Sequence, residues 1–204
     1  MAEGMPTVET DELGRYLEDT ITIDWQTPIV TATAKRLLES LTDPEERVRR
    51  LFEFVRDEIE PSEEFETEAQ TCRASEVLEQ ATGLCYAKSH LLAGLFRYAG
   101  IPAGFCYVRM AKADQPDKFE LHAFNAVYWA PKSIWIFMDA WGSHADSQTE
   151  CRFEEPWSLS CWPEVDKGES FLPLIYKRPA KRIIDLLERA PSLEAIRKNL
   201  PDAI

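Results

Sequence analysis

The hydrophobic pattern of this chain changes period once, and that change limits the fold more than any other feature. Up to Ala99 the apolar residues recur at helical spacing, and beyond Pro102 they alternate. Val48, Leu51, Phe52, Val55 and Ile59 keep a helical period until Pro61 stops them. Leu91, Leu92, Leu95, Phe96 and Ala99 line a second helix that begins near Cys85 and ends at Gly100 and Pro102. Upstream, Thr27–Pro28 reads as a capping hydroxyl followed by Pro at the first helical position, ahead of a stripe of Ile29, Ala34, Leu37, Leu38 and Leu41. Asp43 and Glu46 have capping-box spacing, and a short helix is predicted over 74–80, breaking at Gly83. Strands are predicted over 105–110, 119–129 and 134–141. Helices first and strands second predict an α+β fold, with N-terminal helices packed on an antiparallel β-sheet.

The flanks are less patterned. Ile21, Ile23 and Trp25 alternate as a short extended segment, and residues 61–70 read as an acidic loop. Residues 142–170 are irregular, with Trp157 and Trp162 expected to pack the tail on the core, and two terminal helices are predicted over 181–189 and 192–200. With 204 residues, the expected organisation is a single domain spanning 1–204, with a core over about 27–142 and a C-terminal extension over 143–204.

Charge and cysteine usage narrow the function classes. Residues 1–80 carry 21 Asp/Glu against 8 Lys/Arg, which accounts for the whole net charge of −13. So acidic a chain is repelled by phosphate backbones, so no nucleic-acid partner is expected. No apolar run approaches a membrane span, and Met1–Pro6 lacks the features of a secretory signal, so a cytoplasmic location is expected. The five cysteines, an odd number without a Cys-x-x-Cys pair, fit reduced thiols better than a disulfide framework or a zinc site.

One of those thiols stands out. Cys85 falls in the predicted first turn of an amphipathic helix, where the positive end of the helix dipole and outward-pointing N–H groups stabilise a thiolate and can cradle an oxyanion. His90 is too close along the helix to serve as its base, because five residues carry it to another face. His122 lies on the alternating segment, sharing a face with Phe124, Ala126 and Tyr128. A four-residue loop at Ala130–Ser133 pairs Trp129 with Ile134 and, counting outwards, His122 with Trp141 and Phe124 with Asp139. Asp139 then becomes the diagonal neighbour of His122 on one face, within reach of its imidazole. A three-residue loop would reverse the parity and separate them. Asp139 is also a charge inside an apolar run, where an acid seldom sits without a partner.

The stretches Gly83–Leu92 and Gly100–Tyr107, with Leu121–Tyr128 and Trp135–Ala140, resemble the nucleophile helix, His strand and Asp strand of the transglutaminase-like superfamily, in its small stand-alone microbial members. The resemblance covers about residues 71–142 and implies a papain-like α+β core, with Cys85 as nucleophile, His122 as base and Asp139 as orienter. Where related sequences often carry Ala-Arg-Gly after the Asp, this chain has Ala140–Trp141–Gly142. Gln70 is the best donor type for a second oxyanion contact, and Trp141 and Tyr86 are placed to wall the cleft, core packing being the favoured role for any single aromatic.

The expected chemistry is acyl transfer on amide bonds of a peptide or other amide substrate through a thioester. A cysteine peptidase or amidase is favoured. A protein-glutamine transglutaminase with the same triad, and a non-catalytic interaction domain on the same fold, are the alternatives. His144, Asp146, Cys151 and Cys161 are near one another in sequence, but their spacing fits no common zinc pattern, and neither metal nor cofactor is expected.

Overall fold

The computed structural model describes residues 4–62, 69–141 and 149–204. After a short strand β1 (Thr7–Val8), the chain forms α1 (Pro28–Leu38), α2 (Pro44–Glu58), β2 (Glu60–Pro61), α3 (Ala74–Gln80), β3 (Thr82–Gly83) and α4 (Cys85–Tyr98). Strands β4 (Ala103–Lys112), β5 (Gln115–Trp129) and β6 (Ile134–Met138) follow. The tail adds β7 (Ser170–Phe171), β8 (Leu174–Ile175), α5 (Lys181–Arg189) and α6 (Leu193–Lys198). Strands β6, β5, β4 and β7 form, in that order, an antiparallel sheet, and the helices pack on it as the order of periods predicts.

Helix α4 is the hub. It packs against α2 and α3 on one side and against β4 and β5 on the other, so Tyr86–Arg97 are buried almost without interruption. A helix apolar on nearly every face is stable only when enclosed in this way. It stops where expected: Gly100 takes the left-handed conformation (φ +76°) and the chain turns through Pro102 into β4. Arg97, buried near the end of α4, donates to the carbonyls of Glu18, Ala103 and Lys177, so three distant parts of the chain are fastened at one guanidinium.

The β5–β6 hairpin has the predicted parity. A turn of 3-10 helix over Ala130–Lys132, closed by Ser133 in the left-handed conformation, pairs Trp129 with Ile134 and Asn125 with Met138. Strands β4 and β5 are longer than predicted, meeting as a hairpin that places Val108 opposite His122.

Three local expectations need correction. Thr27 precedes α1, but its hydroxyl donates to Asp24 O (2.8 Å) rather than capping the helix, which Pro28 starts. Asp43 does cap α2, accepting from the amides of Glu45 and Glu46. The alternation over Ile21–Trp25 forms no strand: Thr20 closes a turn with Ile23, burying Ile23 and leaving Ile21 exposed. The described part of the stretch 142–170 is irregular as expected, apart from one 3-10 turn over Val165–Lys167; at its end β7 joins the outer edge of β4, and beyond it a bridge from Tyr176 to Phe105 covers the same edge. Strands of two residues leave no alternation to read. Trp157 and Trp162 divide: the first is buried against Phe137, and the second is substantially exposed beside Phe171.

Candidate active site

Cys85 opens α4, and the backbone before it is held on both sides. Strand β3 pairs with β2, Thr71 donates its hydroxyl to Thr82 O (3.1 Å), and Ser62 and Thr82 share a hydroxyl–hydroxyl hydrogen bond (3.1 Å). Leu84 is extended and its carbonyl accepts the first helical hydrogen bond, from Lys88 N (2.9 Å), so the helix begins abruptly at the thiol. Cys85 is partly exposed, and none of the five cysteines is disulfide-bonded.

The helix is stitched to the strand that carries His122. Ser89 donates to Cys85 O (2.8 Å), and Asn125 on β5 donates to Ser89 O (3.2 Å) and Gly104 O (3.1 Å). The buried Tyr86 hydroxyl donates to Leu121 O, one residue before His122. Tyr86 is therefore a strut inside the core, the favoured of its two expected roles, and does not wall the cleft. Lys88, two residues further on, turns away to the end of α2, where its buried ammonium donates to Ile59 O (2.6 Å).

His122 and Asp139 meet across the hairpin. His122 Nε2 lies 2.9 Å from Asp139 Oδ2. The facing carboxylate makes Nε2 the protonated nitrogen. The Cys85 side chain also hydrogen-bonds the imidazole, and with Nε2 committed to Asp139 that contact falls to Nδ1. Burial opposes a charge on His122, yet the Asp139 carboxylate and the Cys85 sulfur hold its pKa well above the usual imidazole range. Burial likewise opposes ionisation of Asp139, but His122 and hydrogen bonds from Ser160 outweigh it and keep its pKa below the ordinary value.

Asp139 lies just past the last paired residue of β6, where the chain leaves the sheet. Trp141 N donates to Asp139 Oδ1 (3.0 Å), and Thr149 donates its hydroxyl to Asp139 O. The Trp141 ring meets the His122 ring edge-on, with centroids 6.1 Å apart. Trp141 thus stands against the imidazole, but from beyond the end of β6 and not as the paired residue that the register argument places opposite His122.

Ser160 is the residue that sequence reasoning missed. Its amide (3.0 Å) and its hydroxyl both donate to Asp139 Oδ2, and Oγ is 3.2 Å from His122 Nε2. No periodic or spacing signal marks it, because it reaches the site from an irregular stretch of the tail.

Gln70 has other partners. Oriented by its neighbours, its amide nitrogen donates to Ala190 O (2.8 Å) and its oxygen accepts from Ser192 N (3.0 Å), so it ties down the joint between α5 and α6 rather than pointing a donor at Cys85. His90 faces away, as its helical offset predicts, with Nδ1 2.7 Å from Cys72 O. Of the residues weighed as metal ligands, His144 and Asp146 lie outside the described residues. Among the described residues no group of three or more His, Cys, Asp or Glu side chains is arranged to hold a metal ion.

The sequence profile of the transglutaminase-like superfamily matches residues 31–140, more than half of the chain. The chain belongs to the transglutaminase-like superfamily. The matched span contains Cys85, His122 and Asp139 and stops short of Ser160. Among solved structures, the fold is similar to that of a proposed cysteine protease from Cytophaga hutchinsonii, with a TM-score of 0.50 and 20% identity over 67% of this chain and 46% of that one. The ethylmercury-bound periplasmic domain of TgpA from Pseudomonas aeruginosa is similar at a TM-score of 0.46 and 19% identity, covering 63% of this chain and 48% of that one. This chain therefore spans about half the length of these solved chains. No curated protein matches it. Among the described residues no helix is long and apolar enough to cross a membrane.

Proposed function

We propose that this superfamily member is a cysteine peptidase or amidase that cleaves an amide bond through a thioester on Cys85. The observation that carries this reading is the continuous contact from Cys85 through His122 to Asp139, with His122 drawn to the protonated state by the two partners. The Cys85 sulfur, as thiolate, attacks the amide carbonyl carbon, forming the C–S bond. His122 passes its Nδ1 proton to the nitrogen, the C–N bond breaks, and the amine departs. A water molecule then gives a proton to Nδ1 and attacks the thioester, and the carboxylic acid leaves as the sulfur regains its electron pair. Asp139 keeps Nε2–H as the donor throughout and balances the imidazolium charge. The partial exposure of Cys85 supports water as the acceptor.

The test begins with the thiol. Alkylation of Cys85 by iodoacetamide is expected to be fast well below about pH 8.5, where an ordinary thiol is mostly protonated, and to lose that low-pH reactivity in His122→Ala. An ordinary thiol profile in the wild type, unchanged by His122→Ala, rules out the thiolate–imidazolium pair. A peptide and amide library then identifies the bond cleaved, and Cys85→Ala is expected to abolish turnover. Incorporation of an added primary amine in place of hydrolysis would assign the acceptor as an amine.

A further inference from the structure

Asp139 stands at the inner end of the site and accepts four hydrogen bonds, three of them at one oxygen. A carboxylate offers about four lone-pair directions. Oδ1 takes the Trp141 amide, and Oδ2 takes His122 Nε2–H, the Ser160 amide and the Ser160 hydroxyl. Two of the four donors come from one residue, and that residue lies beyond the part of the chain that matches the family. We infer that Ser160 is a positioning residue of the site, fixing the charge of Asp139 and the tautomer of His122 through its hydroxyl. The inference rests on the acyl-transfer reading and extends it to the tail.

The hydroxyl has one hydrogen and three neighbours: Asp139 Oδ2, His122 Nε2 at 3.2 Å and Cys161 Sγ at 3.5 Å. The ionised carboxylate is the strongest acceptor and takes the hydrogen. The hydroxyl's lone pairs then face Nε2, which they can satisfy only if Nε2 carries its own proton. Ser160 therefore favours the tautomer that leaves Nδ1 for the sulfur. Its donation also stabilises the ionised form of Asp139, which contributes to the depressed pKa of that acid.

The tail is held where this requires. Arg56 on α2 donates to Thr149 O (2.7 Å) and Arg49 donates to Cys151 O (3.2 Å). Cys151 and Leu159 are buried, and Trp157 packs edge-on against Phe137 of β6, with centroids 5.8 Å apart. The chain is thus anchored at several points ahead of Ser160, and Thr149 donates to the main-chain carbonyl of the same aspartate.

The test compares wild type with Ser160→Ala, which keeps the amide donor and deletes the hydroxyl, and with Ser160→Thr, which restores it. Two readouts are followed against pH: iodoacetamide alkylation of Cys85, and the His122 ring signals by NMR, which report tautomer and titration directly. Without the hydroxyl Asp139 takes up a proton at higher pH, so the acid limb of the alkylation profile is expected to move up by about one pH unit. Above the pH at which His122 gives up its imidazolium proton, its signals are expected to show a smaller share of the Nε2–H tautomer in Ser160→Ala, where Asp139 alone holds it, and Ser160→Thr is expected to return both readouts towards wild type. A merely structural role would move melting temperature without moving either. If Ser160→Ala does not fold, Ser160→Cys, nearly the same size and a weak donor, replaces it. A wild type with the paired profile and an unshifted Ser160 variant overturns this assignment alone. A wild-type Cys85 that alkylates as an ordinary thiol overturns the acyl-transfer reading, and this inference with it.

Discussion

The imidazole of His122 and the carboxylate of Asp139 stand 2.9 Å apart, although Asp139 lies one residue past the last paired position of its strand. Register brings the two to one face, and leaving the ladder frees the Asp139 backbone to turn the carboxylate towards the ring. Asp139→Asn keeps the shape and an acceptor oxygen but removes the charge. The support that raises the pKa of His122 is then withdrawn, so the imidazolium gives up its proton at lower pH. Amide-cleaving activity is expected to fall by roughly a hundred- to ten-thousand-fold. The alkaline limb of its pH profile is expected to move down. A full-activity Asp139→Asn enzyme would exclude the charge as a working part.

Tyr86 couples the two halves of the site from below. Its buried hydroxyl donates to Leu121 O, linking the residue after the thiol to the residue before the imidazole. Tyr86→Phe removes that donor at almost constant volume and withdraws a partner from a buried carbonyl. A loss of about 1–3 kcal/mol is expected, seen as a lower urea midpoint with an unchanged slope. A midpoint equal to wild type would show that the hydroxyl contributes nothing.

The sequence made the site legible wherever a regular element carried it. Cys85 is marked by its place at the start of an apolar helix bounded by Gly83 and Gly100, and His122 by strand alternation. Asp139 was marked by hairpin parity, which depends only on whether the loop has an even or odd number of residues. What escaped was set by contacts between stretches far apart in sequence and without period. Ser160 returns to Asp139 across 21 residues, and Gln70, a sound donor by type, is claimed by Ala190 and Ser192. Thr27 and Ile21–Trp25 carried the correct residue types, but Asp24 and Thr20 offered nearer hydrogen-bond partners than the helix start or a neighbouring strand.

Close packing of the tail on the sheet can be tested at Gly104. A Cβ there would lie 2.6 Å from Ile175 Cγ2, 3.0 Å from Tyr176 O and 3.1 Å from Tyr16 Cδ1. The carbonyl belongs to the bridge between Tyr176 and Phe105 and cannot easily retreat. Gly104→Ala is expected to destabilise by about 1–3 kcal/mol, measured by urea unfolding. Adding Ile175→Ala removes the closest clash, so the double variant should lose less than the sum of the two single losses. Strict additivity would mean that the tail does not pack on β4 at this point.

His90 gives the fold an acid sensitivity separate from the site. The ring is buried, donates Nδ1–H to Cys72 O (2.7 Å) and packs edge-on to Phe105, with centroids 5.7 Å apart. Burial, aided by the nearby Arg97 charge, pushes its pKa down to about 4 against the hydrogen bond to Cys72. In the unfolded chain the same imidazole titrates near about 6.5. Between those values the unfolded state binds the proton and the folded state does not. Its contribution to stability is therefore intact above about pH 6.5 and is lost as pH falls towards 4, by on the order of 3 kcal/mol. His122 acts in the opposite sense, because its folded pKa is raised: its contribution is intact below about pH 6.5 and is lost as pH rises through the folded value. His90→Asn, which keeps a donor near the Nδ1 position without the titration, should flatten the decline between about pH 6.5 and 4.5 in urea unfolding. Parallel curves for wild type and His90→Asn would assign that acid loss to other groups.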